Sequence, residues 1–80
     1  MTQVVLYGKA GCHLCDEARD VVAAVRERHP FELEEVDVST DPELHERYGE
    51  RIPVLAVDGD ELFEFHVDAG ELARRLQSEQ

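Results

Sequence analysis

Sulfur chemistry can happen at only one place in this chain, because both cysteines fall within four consecutive residues, Cys12-His13-Leu14-Cys15. The four follow an apolar run and precede a helical pattern. A C-x-x-C that opens a helix sets its first sulfur over the unpaired N–H groups of the first turn, where the positive end of the helix dipole favours a thiolate. The second sulfur then lies within reach to close a disulfide. The chemistry implied is dithiol–disulfide exchange, with nucleophile and resolving partner supplied together. So small a loop adds little as a structural staple, since closing it removes little chain entropy. Packing must hold the fold together.

The elements that position this pair can be read along the chain. Val4-Val5-Leu6-Tyr7, bounded by Gly8, is a continuous apolar run of the kind expected of a strand buried on both faces. From Leu14, apolar residues recur at Ala18, Val21, Val22 and Val25, with Asp16, Arg19, Asp20, Arg26 and Glu27 on the other face; this predicts a helix that Pro30 ends. Phe31 to Val38 reads as a second strand whose alternation breaks at Glu34-Glu35, which predicts a bulge or an irregular start. Asp41-Pro42-Glu43 signals a helix start and Gly49 a stop, with Leu44 and Tyr48 pointing inward between them. Ile52 to Val57 is a third strand opening with Pro53. Asp58-Gly59 is a hairpin dipeptide leading into a fourth, antiparallel strand, Leu62 to Val67. Asp68 can cap a last helix carrying Leu72 and Leu76, before a polar tail from Gln77 to Gln80. The order is βαβαββα.

Eighty residues without an internal repeat, linker or low-complexity tract fit one domain, 1–80. With 19 Asp+Glu against 8 Lys+Arg the net charge is -11, a field that repels nucleic-acid phosphates and anionic membrane surfaces. Neither is an expected partner, and a well-solvated acidic surface is the plain reading. No apolar stretch reaches membrane-spanning length, and no basic leader precedes the first strand, so a cytoplasmic location is expected. There the pair would rest as thiols, with any disulfide transient and catalytic.

A C-x-x-C at the first strand-to-helix turn, together with Pro53 opening the strand after the second βα pair, resembles the thioredoxin fold. Lys9 three residues before Cys12, the Ile52-Pro53 pair and the short length are similar to the glutaredoxins within it. The resemblance spans nearly the whole chain. It implies an α/β thioredoxin-like fold with a four-stranded mixed sheet flanked by three helices. It further implies a thiol–disulfide oxidoreductase acting on protein or low-molecular-weight disulfides, with Cys12 as nucleophile and Cys15 as resolving thiol. Pro53 would be cis and face the sulfurs, turning the Ile52 backbone toward an extended, disulfide-bearing segment. No tightly bound cofactor is implied, glutathione would be the co-substrate, a thiol reductant or reductase would supply electrons, and the protein would act as a monomer. Physically, Lys9 and the helix amides lower the Cys12 pKa from the free value of ~8.5, while Asp16 and Glu17 oppose them. A moderate depression is expected.

Two departures from the glutaredoxin pattern matter. His13 stands where most members carry Pro or Gly. As an imidazolium it would favour the thiolate and make the pair more oxidising; as a neutral ring it is an exposed loop residue. The Gly-Gly pair that usually precedes an Asp and holds the γ-glutamyl end of glutathione is missing, since the stretch reads His66-Val67-Asp68-Ala69-Gly70-Glu71. Asp68 with the helix amides behind it could receive a charged group or simply cap the helix, and Arg51 could meet a glutathione or peptide carboxylate or remain solvated. The reducing partner should therefore not be assumed to be glutathione. Two other readings stay open on the residues: a non-enzymatic thioredoxin-fold binding module with an acidic surface, and a metal site that adds His13, His29, His45 or His66 to the cysteines. No second close pair of ligands favours the metal site, and none is expected.

Overall fold

The first apolar run becomes an interior strand because both of its faces find a hydrophobic partner. In the computed structural model, which describes residues 2–78, β1 (Gln3–Gly8) lies between β2 (Glu32–Asp37) and β3 (Val54–Val57), with β4 (Asp60–Glu64) outermost beside β3. β1 runs parallel to β2 and antiparallel to β3, and β3 runs antiparallel to β4, so the sheet is mixed. The helices are α1 (His13–Arg28), α2 (Pro42–Tyr48) and α3 (Ala69–Ser78). This is the βαβαββα order of the thioredoxin-like fold, four strands flanked by three helices. Met1, Glu79 and Gln80, including the end of the expected polar tail, lie outside the described residues.

Alternation along β1 divides the interior into two layers. Val4 and Leu6, opposite Val57 and Leu55, join Ala18, Val22 and Val25 of α1 with Leu72 and Leu76 of α3 in the main core. On the other face Tyr7, opposite Val54, joins Tyr48, Val38, Ile52 and Cys15 in a second cluster. Cys15 is part of that cluster and Cys12 packs against it, so the surroundings of the pair are already packed.

Several boundaries differ from the sequence expectation, each for a physical reason. β2 holds a continuous register with β1 from Gln3–Glu32 to Gly8–Asp37 and contains no bulge. Its two apolar residues face opposite layers, Leu33 beside Val4 and Val36 beside Tyr7, which imitates a broken alternation. Val38 leaves the strand to open a short 3-10 turn, Val38–Thr40, tied by Asp37 to the Ser39 N–H and hydroxyl. The irregularity lies instead between β3 and β4, where Leu55 faces Phe63 but Ala56 faces Glu61. Leu62 is the extra residue, and the bulge lets both Leu62 and Phe63 pack on the main core. β3 begins at Val54 rather than Ile52, since proline has no N–H for the ladder. β4 starts directly after the two-residue turn at Asp58 and Gly59, both with positive φ as a hairpin turn requires, and ends at Glu64 rather than Val67. α3 runs on to Ser78, taking in Gln77 from the expected tail.

Candidate active site

The reactive pair is built by the junction between β1 and α1. Gly8 closes the strand, and Gly11, at φ 75°, turns the chain in a conformation that disfavours any residue with a Cβ. Cys12 then serves as the N-cap of α1. Its backbone is extended, its carbonyl accepts the Asp16 N–H at 3.1 Å, and its sulfur accepts the Cys15 N–H at 3.2 Å. The helix start is thus directed at the Cys12 sulfur, the arrangement that stabilises a thiolate. Cys12 and Cys15 form a disulfide with Cα atoms 5.2 Å apart. The two differ in access: Cys15 is 1% exposed, whereas Cys12 is partly open to solvent. The room for Cys15 comes from Gly8, where a Cβ would stand 3.1 Å from the Cys15 sulfur.

The facing wall comes from the start of β3 and from α2. The Ile52–Pro53 bond is cis, and Ile52 packs in one cluster with Cys12 and Cys15. Tyr7 and Tyr48 stack beneath, ring centroids 4.2 Å apart and 18° from parallel. The Arg47 and Arg51 guanidinium carbons stand 5.4 and 5.3 Å from the Tyr48 ring centroid, within cation–π range. Burial, then a hydrogen bond to Glu61 and the nearby Tyr7, push the Tyr48 phenol above its ordinary value.

The remaining sequence candidates are distributed around this centre. Lys9 borders a cavity of about 330 Å³ on the Cys15 side of the junction, with Arg19, Glu35 and Asp37 as the other charged residues. There it faces Asp37, whose carboxyl is held below its usual range first by the Ser39 hydroxyl and backbone N–H and then by the Lys9 charge. Asp16, expected to oppose a thiolate, is bound by Arg19 at 2.8 Å, and Arg19 also pairs with Glu35. That pairing takes up part of the opposing charge. His13 is highly exposed, with Nε2 3.8 Å from the Glu17 carboxylate. Arg51, considered for a substrate carboxylate, has its guanidinium paired with Glu61 and Glu64 of β4. Asp68 caps α3, accepting the Glu71 N–H at 3.0 Å. Cys12, Cys15 and Ile52 are brought together; Arg51 and Asp68 are each engaged with neighbours, and Lys9 borders the same cavity as Asp37. Sequence reasoning did not single out Tyr7, Gly8 or Tyr48 as site residues. The available signals were the aromatic just before the strand-ending glycine and the second tyrosine just before the Gly49 stop.

Among the described residues no group of three or more His, Cys, Asp and Glu side chains is placed to hold a metal ion. No helix among them is long and apolar enough to cross a membrane.

The family described as Glutaredoxin-like domain (DUF836) matches residues 3–77. The chain belongs to that family. An uncharacterized protein of Mycobacterium tuberculosis is 31% identical over 71 residues, covering 82% of this chain and 73% of that protein. The X-ray structure of a structural-genomics target from X. campestris is 34% identical and superposes with a TM-score of 0.78, covering 94% of this chain and 96% of that one. A mutant thioredoxin from Halobacterium salinarum, 23% identical, shares the fold with a TM-score of 0.70 over 96% of this chain and 73% of its own. In this glutaredoxin-like domain the two cysteines stand at disulfide distance at the head of α1, an arrangement suited to redox exchange.

Proposed function

We propose that this glutaredoxin-like protein is a thiol–disulfide oxidoreductase in which Cys12 attacks and Cys15 resolves. The supporting observation is the difference in access within one pair: an external disulfide can reach Cys12, whereas Cys15 is 1% exposed. In the reduced protein the Cys12 thiolate attacks one sulfur of a substrate disulfide. The Cys12–substrate bond forms, the substrate S–S bond breaks, and the distal half leaves as a thiolate. Cys15, deprotonated in turn, attacks the Cys12 sulfur, forms the Cys12–Cys15 disulfide and releases the second substrate thiolate. The substrate gains two electrons and the protein loses two, so a thiol reductant or reductase must reduce the pair for the next turnover. The Cys15 N–H on the Cys12 sulfur and the α1 amides lower the cost of the attacking thiolate. Substrates are protein disulfides or small disulfides.

The test is disulfide reduction by wild type, Cys12→Ser and Cys15→Ser. Cys12→Ser should be inactive, and Cys15→Ser should accumulate a mixed disulfide at Cys12 visible by mass spectrometry. Equal activity in wild type and Cys12→Ser would eliminate the proposed nucleophile.

A further inference from the structure

Among the described residues Phe65 is the large apolar side chain left exposed, at 43%. Its backbone lies in the left-handed region, φ 67°, a conformation that costs energy in any residue with a Cβ. Hydrogen bonds hold it there from both sides. The Phe65 N–H donates to the Pro53 carbonyl at 2.8 Å, and the His66 N–H donates to the Glu64 carbonyl at 2.7 Å. The Phe65 backbone is therefore held at a set position, tethered to the proline that follows Ile52. With Leu14, Ala18, Val21 and Val67, Phe65 lines a cavity of about 290 Å³ between α1 and the segment joining β4 to α3, with Glu17 and His66 as its polar groups.

We propose that this cavity receives an apolar side chain of an extended polypeptide whose disulfide is exchanged at Cys12, and that Phe65 is a specificity-determining residue favouring such substrates over glutathione disulfides. The proposal rests on the reading of Cys12 as nucleophile and adds the substrate class. Three observations carry it. The cavity adjoins the C-x-x-C, since Leu14, which stands between the two cysteines, is one of its lining residues. Its charge suits the occupant: Glu17 lines it and the chain carries -11, so a segment with a basic residue beside the apolar one is attracted. Glutathione, with two carboxylates to one ammonium, is repelled. The groups that might hold those carboxylates or that ammonium are also engaged, Arg51 by Glu61 and Glu64, and Asp68 by the Glu71 N–H.

The experiment uses reduced full-length protein and mixed disulfides of thionitrobenzoate, whose release is read by absorbance in a single turnover. Each attack joins the substrate sulfur to Cys12 and expels thionitrobenzoate as its thiolate. The substrates are an Arg-Leu-Cys peptide, an Arg-Ser-Cys peptide, glutathione and 2-mercaptoethanol, each linked to thionitrobenzoate. Wild type should react with the leucine peptide about 10-fold faster than with the serine peptide, the usual reach of an apolar pocket, and glutathione should be slower still. Phe65→Gly supplies the residue that left-handed backbone favours, so it folds. It should bring the leucine-peptide and serine-peptide rates within about 2-fold, and Phe65→Leu should restore much of the preference. Absence of a leucine preference in wild type, or its survival in Phe65→Gly, overturns the assignment while leaving the oxidoreductase reading intact. Absence of thionitrobenzoate release from every substrate overturns both.

Discussion

Replacing Gly8 with alanine would put a methyl group 3.1 Å from the Cys15 sulfur and 3.2 Å from the Cys15 Cβ. Carbon atoms pack best at roughly 3.5–4.0 Å, so the new group is a few tenths of an ångström or more too close to both. Cys15 has little room to retreat: it is 1% exposed, and its own N–H is bonded to the Cys12 sulfur. Over-packing of this kind costs about 1–3 kcal/mol. Against it stands the reduced freedom of the unfolded chain, which favours alanine over glycine by about 0.4–1 kcal/mol where the backbone permits, as in this regular strand. The net expectation runs from no change to a loss of about 2.5 kcal/mol. With a urea slope near 1 kcal/mol/M for a chain this small, the midpoint falls by up to about 2.5 M. The decisive assay is a double-mutant cycle of Gly8→Ala with Cys15→Ala, all four proteins titrated with urea under reducing conditions. Cys15→Ala removes the sulfur and leaves only the Cβ contact, so the Gly8→Ala penalty should shrink by about 0.5 kcal/mol or more. An equal penalty in both backgrounds, or net stabilisation by Gly8→Ala with Cys15 intact, would refute the claim that Gly8 makes room for the Cys15 sulfur.

Two further outcomes follow from the same geometry. Burial and the Glu61 hydrogen bond hold the folded Tyr48 phenol above the unfolded value of 10.0, so its contribution is intact below that pH and is lost as pH rises from there through the folded value. Tyr48→Phe should therefore flatten part of the alkaline decline in urea midpoint; an unchanged alkaline slope would count against the burial argument. Asp68→Ala removes the acceptor of the Glu71 N–H and should lower stability by about 1 kcal/mol with no change in turnover of a small neutral disulfide. A raised KM for glutathione disulfide at unchanged stability would instead make Asp68 a ligand.

Local chemistry alone made much of this protein legible. The apolar run of β1, the 3.6-residue stripe of α1, the Asp41-Pro42 start of α2 and the Asp58-Gly59 turn each depend on residues a few positions apart, and each forms as its pattern dictates. The same holds for the core of the site, since a C-x-x-C before that stripe puts Cys12 at the helix cap. What was misread depends on partners far along the chain. β2 reads as broken because the layer that receives Leu33 and Val36 is set by its register with β1, and the true bulge exists only in the pairing of β3 with β4.

Residues around the reactive pair follow the same division. That Arg51 meets Glu61 and Glu64, that Gly8 lies against Cys15, and that Phe65 leaves β4 for a left-handed turn bonded to Pro53 are outcomes of packing between elements. Sequence by itself determined the cysteine pair and the helix that Cys12 caps, because capping and periodicity act within one or two turns. Tertiary structure alone decided which cysteine is sheltered and which side chains border the exposed one, because burial and long-range hydrogen bonds exist only once the sheet and its helices have closed around them.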